Sequence, residues 1–269
     1  MRQLSTAAVR ALCISVAMLP YPHATAAHEF WIDPVRFTPK PGASVPIVFR
    51  IGSDFKGNTY PYVRGLDRRF TVTDARGERT IKTLDGDDPA AEIKFTQAGL
   101  AIVAHQRAAE EAVFDTFAKF EDSLVYEGLE QFVDAHRKAG KPMTGIREAY
   151  ARCAKALISV GAVSGRDRAV GMPLELIAEK NPYALASAEA LPVRLLHDGR
   201  PIAGVLVKSF NRDDPASPRL ARTDVDGRVT IDVARPGEYL VSAVHMTEPK
   251  PGDKVDWSSL WATLTFARP

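Results

Sequence analysis

The sequence predicts a mainly β protein: two β-sandwiches with a helical insertion between them, behind a removable leader. Three observations carry this. Short apolar runs alternate with turn residues over 28–110, helical periodicity takes over across 111–165, and hairpin-spaced apolar runs return across 166–269.

Residues 1–27 read as a secretory signal peptide. Arg2 and Arg10 give a positive start, and the apolar stretch from Ala11 to Leu19 is too short to span a bilayer. Pro20, Pro22 and Ala24-Thr25-Ala26-Ala27 form the exit, with cleavage open between Ala26 and Ala27. This predicts a periplasmic protein with no membrane span in the mature chain. Arg2 and Arg10 are the leader's only charges, so of 35 basic and 33 acidic residues the mature chain keeps 33 of each. Such a balanced surface offers no electrostatic footprint for nucleic acid or an anionic membrane. Cys153 is the one cysteine left, so no intrachain disulfide can form and stability must come from burial.

In the first sandwich the strand candidates are Phe30-Trp31-Ile32, Val45 to Phe49, Phe70 to Thr73, Glu92 to Phe95 and Leu100 to Ala104. Pro39 to Gly42, Ala75 to Glu78 and Asp85 to Pro89 supply turns between them. In the insertion, Phe114, Phe117, Phe120 and Leu124 recur at three- and four-residue steps, followed by Leu129, Phe132, Val133 and His136. Gly140-Lys141-Pro142 ends that pair. The stretch from Glu148 to Gly161 is ambiguous, a helix that finishes as the strand Leu157 to Val160, and the block reads as a helical insertion between sheets. The last block has strands from Leu191, Gly204, Val229 and Glu238, joined at Asp198-Gly199 and Asp226-Gly227, where glycine accepts positive φ.

Two resemblances rest on these residues. Asp198-Gly199-x-Pro201, Thr223-Asp224-x-Asp226-Gly227 and Gly237-x-Tyr239-x-Val241-x-Ala243 resemble a prealbumin-like or collagen-adhesin B-type module, which implies Ig-like sandwiches and is silent on function. His28 to Ile32, Glu127-Gly128-Leu129, Tyr150-x-Arg152-x-Ala154 to Leu157, Leu174 to Ile177 with Asn181-Pro182, and Val244-His245-Met246 with Trp257 and Trp261 resemble a second family. It is an uncharacterised periplasmic domain associated with cobalt and nickel uptake. The resemblance implies an envelope protein that handles a transition metal and serves inner-membrane transporter components.

Histidine is the informative residue type. Neutral imidazole binds nickel, cobalt, copper and zinc, and the chain lacks HExxH and CxxC spacings, so a site must be assembled from distant positions. His28, at or next to the mature N-terminus, is one candidate ligand. His105 and His245 end apolar strands, and the expectation is that they meet His28 at a sandwich edge. The bland alternative makes His105 and His245 core histidines, each with one polar partner. His136, beside Arg137 and Lys138, reads as solvated, and His197 reads as a turn residue. Trp31, Trp257 and Trp261 are secondary candidates for lining a pocket, and otherwise core plugs. The Asp85, Asp87 and Asp88 cluster lacks the closing Glu of a calcium loop. Cys153 sits near Arg152 and Lys155, cations that lower a thiol pKa.

The leading expectation is therefore a periplasmic component that captures a divalent metal, nickel or cobalt ahead of copper or zinc, for uptake. It carries no catalytic site. The competing expectations are an envelope structural or interaction protein without a ligand, and a copper enzyme built on an N-terminal His28.

Overall fold

The computed structural model describes residues 28–269; the expected leader lies outside the described residues. The first strands are β1 (Glu29–Pro34), β2 (Ser44–Ser53), β3 (Lys56–Tyr60), β4 (Asp67–Asp74), β5 (Gly77–Thr80) and β6 (Ala91–Lys94). They are followed by β7 (Gly99–Arg107), β8 (Glu110–Phe114), the helices α1 (Phe117–Tyr126) and α2 (Glu130–Lys138), and β9 (Ile146–Val160). The rest is β10 (Leu174–Ala178), β11 (Leu191–His197), β12 (Arg200–Pro201), β13 (Leu206–Asn211) and β14 (Asp214–Arg222). Three strands close the chain: β15 (Arg228–Ile231), β16 (Gly237–Thr247) and β17 (Trp257–Arg268). The protein is thus mainly β with two short helices. Among the described residues no helix is long and apolar enough to cross a membrane.

The strands form three sheets. A nine-stranded sheet runs β14-β13-β16-β17-β9-β7-β4-β5, with β8 also on β9. A second sheet is β1-β2-β3 with β6 on β2, and a third is β10-β11-β12 with β15 on β11. The joint between the halves is the parallel pairing of β17 with β9, from Trp257 opposite Glu148 to Thr265 opposite Ala156. The expected border at 110 falls at the start of β8, which pairs with β9 in the large sheet, and the border at 165 falls in the connection from β9 to β10. Residues 111–165 hold both helices but also β9, which is strand throughout and does not open as a helix.

Strand alternation decides what each face of the large sheet buries. On one face Ala101, Val103, Ala154, Ala156 and Ile158 pack under Phe30, Ile32, Ile47 and Phe49 of the second sheet. The helices cover the rest of this face, setting Phe120, Leu124 and Val133 against Val244, Met246, Trp257 and Trp261. On the opposite face Ile102, Leu157, Val241, Ala243, Ala262 and Leu264 pack against Leu174, Leu176, Val193 and Leu195 of the third sheet. Each fully buried Leu, Ile or Phe contributes roughly 1.5–3 kcal/mol, so these cores hold the described residues together; Cys153 is free and buried. The first face is further tied down by Thr263 and Thr265, whose hydroxyls each donate at 2.7 Å to a β1 carbonyl, that of Phe30 and that of Ile32.

Candidate functional site

The third sheet stops short of one end of the large sheet. There the floor carries small side chains, Ala149 and Ala151 of β9 and Ser258 of β17, and a groove of about 590 Å³ stays open. Its walls include Pro173, His197, Asp198, Glu248 and Lys250.

His197 of this groove wall meets a second imidazole, that of His245, behind it. His245 lies on β16, on the face it shares with Val241 and Ala243, opposite Leu260 of β17. His197 ends β11, just before Asp198 and Gly199 turn the chain at φ 48° and 74°. That two-residue left-handed turn fits an Asp-Gly hairpin. The ring centroids stand 4.7 Å apart with planes tilted by 58°. Burial first, and then the neighbouring His197, hold the His245 imidazole below its usual range. Asp198 Oδ2 lies 3.7 Å from His197 Nε2. A partly buried imidazole held below its usual range beside a second, half-open one has donors that suit a borderline metal. Among the described residues no three His, Cys, Asp or Glu side chains are grouped so as to hold a metal ion. The remaining coordination positions on such a pair would be filled from the groove.

The expected set of His28, His105 and His245 does not assemble, and the alternation of strands is the reason. His105 is opposite Ala154 on the face under the second sheet, whereas His245 is on the face toward the third sheet. His105 is buried in an aromatic cage, its ring 4.4 Å from Phe49 and 5.3 Å from Phe70. Asp67 Oδ1 lies 3.4 Å from its Nε2, and Tyr62 donates to Asp67 Oδ2 at 2.9 Å. Burial pushes the His105 imidazole below its usual range. It is the core histidine with one polar partner that the bland alternative described. His28 instead pairs its Nδ1 with Ser53 Oγ at 3.0 Å, and its carbonyl accepts from Arg152.

Other expectations are also corrected. His136 is fully buried rather than solvated: Trp257 Nε1–H donates to its Nδ1 at 2.9 Å and its Nε2 bonds to the Pro142 carbonyl at 2.8 Å. The three tryptophans are core plugs. Trp31 packs with Phe55, Phe210 and Leu240, while Trp257 and Trp261 pack beneath the helices, and none of them lines the groove. The Cys153 thiol is pushed up to about 12 by burial, the opposite of the lowering expected from Arg152 and Lys155. Asp85 and Asp87, by contrast, serve a turn as expected, accepting from the backbone N–H groups of Arg64 and Leu84.

A histidine directly before Asp-Gly carries the signal of a turn residue, which hides the role of His197 in the sequence. No sequence signal joins it to His245, since the two strands belong to different sheets. Also unread in the sequence are the buried charges. Lys208 sits between Glu29 and Glu127, at 3.2 and 2.7 Å, beneath the ring of Tyr126. Glu148 accepts from the Ser259 hydroxyl, which itself accepts from Trp261 Nε1–H at 3.0 Å. Burial raises both Glu127 and Glu148 to about 7, Glu127 against the opposing pull of Lys208.

The family model described as Domain of unknown function (DUF4198) matches residues 25–247. No curated protein matches the chain. Among solved structures, the D0-D1 domain of Intimin is similar at 12% identity and a TM-score of 0.21, over 88% of this chain and 97% of that one. A tetra-tandem repeat from the extending region of a large adhesion protein is similar at 13% identity and 0.22, over 90% of this chain and 50% of that one. Dimeric latent PorU from Porphyromonas gingivalis is similar at 10% identity and 0.21, over 93% and 21%. These likenesses carry no statement about activity.

Proposed function

Since the chain belongs to the DUF4198 family, whose description assigns no activity, we propose from the groove that it is a periplasmic binding protein for a divalent transition metal. Nickel or cobalt is the cargo, His197 and His245 are the protein ligands, and the ion is passed on to inner-membrane transporter components. The observation that supports this is the 4.7 Å approach of the His245 imidazole, held below its usual range by burial, to His197 in the wall of an open groove. Two protein ligands suit capture and release better than a closed structural site, which would supply four. In this reading the second half of the chain is a prealbumin-like module, whose sheets hold the two histidines at one end.

The test is calorimetric titration of the exported chain with nickel or cobalt chloride. One equivalent should bind, with binding lost in His245→Ala and His197→Ala and kept in His28→Ala and His105→Ala. Equal loss in all four variants would overturn the assignment of the pair. No binding by the intact chain would leave an envelope scaffold without a ligand as the better account.

A further inference from the structure

A smaller pocket, of about 180 Å³, lies at the other end of β16 from His245. Tyr239 in its wall is about 20 Å from His245 along the strand. The pocket originates in a register change at the edge of the large sheet. β13 and β14 pair Asn211 with Asp214 and Ser209 with Arg219, so β14 takes five residue steps where β13 takes two. Pro215 and Pro218 fall in that surplus and offer no N–H to the ladder. The extra residues leave the pairing and bend β14, as bulges at sheet edges do. The connection from β15 to β16, with Asp232 and Arg235, contributes the rest of the lining.

Hydrogen bonds set these walls in advance. Asn211 Oδ1 accepts from the Asp213 N–H at 2.9 Å, and its Nδ2 donates to the Pro236 carbonyl at 3.2 Å. Tyr239 stacks on Phe266, with ring centroids 5.5 Å apart, and its hydroxyl donates to the Arg235 carbonyl at 2.7 Å. Asp232 Oδ1 accepts from the Ala234 N–H at 3.0 Å. A lining ordered beforehand lowers the entropic cost of taking up a ligand.

The chemistry of the lining narrows what that ligand is. Arg219 and Arg235 bring two guanidinium groups, and Asp214 and Asp232 bring two carboxylates. Asp214 Oδ2 lies 3.5 Å from Arg235 Nη1. Ser209, 3% exposed, adds a buried hydroxyl without a hydrogen-bond partner. Because the two signs cancel, a simple anion gains no net attraction here. An apolar group would leave the polar atoms around it unpaired, which is costly. A hydroxylated ring answers both demands, since each hydroxyl donates to a carboxylate while accepting from a guanidinium. Drug-sized sites enclose about 300–1,000 Å³, so this pocket takes one small ring.

We infer that the pocket between the β14 bulge and the β15–β16 connection binds a single neutral sugar unit of a glycan. Asp214 and Asp232 accept from its hydroxyls, and Arg219 donates to them. The site is separate from the metal pair and needs no metal.

The test is saturation-transfer NMR on the whole exported chain, with no metal added. The probes are the methyl glycosides of glucose, galactose, mannose and N-acetylglucosamine, with galacturonate and acetate as anionic comparisons. At least one neutral glycoside should bind in the millimolar range. Its affinity should fall by about tenfold or more in Arg219→Ala and in Asp214→Asn. Ala234→Trp, which places an indole in the lining from an exposed position, should abolish binding. All three variants should melt as cooperatively as the wild-type chain, since these positions lie outside the cores. Binding of galacturonate and acetate but of no neutral glycoside would overturn the proposal in favour of an anion site. Silence from every probe overturns it as well, and so does neutral-sugar binding of equal strength in the wild-type chain and all three folded variants.

Discussion

His105 and His245 stand on opposite faces of one nine-stranded sheet, the first opposite Ala154 of β9 and the second opposite Leu260 of β17. A single metal cannot bridge them through a packed sheet. The pair of His197 and His245 is the proposed alternative, and its consequences can be measured.

Metal binding at that pair should depend on pH in one direction. His245 is held below the usual 6.5 by burial and by His197, so in the folded chain it stays neutral through neutral pH. Nickel affinity should hold level through neutral pH and weaken at lower pH as protons compete for the ring. The depressed base also contributes stability that is full above about pH 6.5 and declines as pH falls and the unfolded chain takes up a proton. Isothermal titration at several pH values checks the first effect, and chemical denaturation of the metal-free chain checks the second.

Glu148 should make the protein less stable as pH rises. Its carboxyl is raised by burial from 4.5 to about 7, with the Ser259 hydroxyl pulling the other way. Below about pH 4.5 both folded and unfolded chains keep the proton. Between 4.5 and 7 the unfolded chain ionises first, so stability is lost across that window. Glu148→Gln removes the titration and should stabilise the chain at pH 7.5 by on the order of 2 kcal/mol. At pH 4.5 it should change little. Equal effects at both pH values would contradict a buried neutral acid.

His136→Ala should cost about 2–4 kcal/mol, since it opens a cavity among aromatic rings and strands the Trp257 N–H without a partner. Urea denaturation followed by tryptophan fluorescence reads both the loss and the changed surroundings of the indole. A surface histidine would give less than about 0.5 kcal/mol.

Lys208→Met should be among the most damaging substitutions. It leaves Glu29 and Glu127 buried without their shared cation, which costs about 3–5 kcal/mol. The companion change Lys208→Met with Glu29→Gln and Glu127→Gln should recover much of that loss, and a cooperative thermal melt of the three-residue variant would show it.

Some of this was legible in the chain and some was not. The runs at Val45, Phe70, Leu100, Leu191 and Glu238 are strands in the structure, and Phe120, Leu124 and Val133 face the core as their spacing requires. β9 misled because Glu148, Arg152 and Lys155 recur at four and three residues, as on the charged face of a helix. They are tolerated in a buried strand because each is paired: Glu148 with Ser259, Arg152 with Glu110, Lys155 with Asp167 and Glu175. His136 misled through Arg137 and Lys138, which point outward while its own ring fills the gap against Trp257.

By itself the sequence determined the mainly β character, the placement of the helix pair and the hairpin turns. Each depends on contacts between residues close along the chain, where alternation, periodicity and glycine are sufficient signals. Only the tertiary structure decided that β17 joins β9 in parallel, that His105 and His245 face opposite ways, and that His197 meets His245. Those outcomes rest on pairings between strands distant in sequence. In a strand a shift of one residue moves every side chain to the other face, so the same composition permits a site or abolishes it according to register.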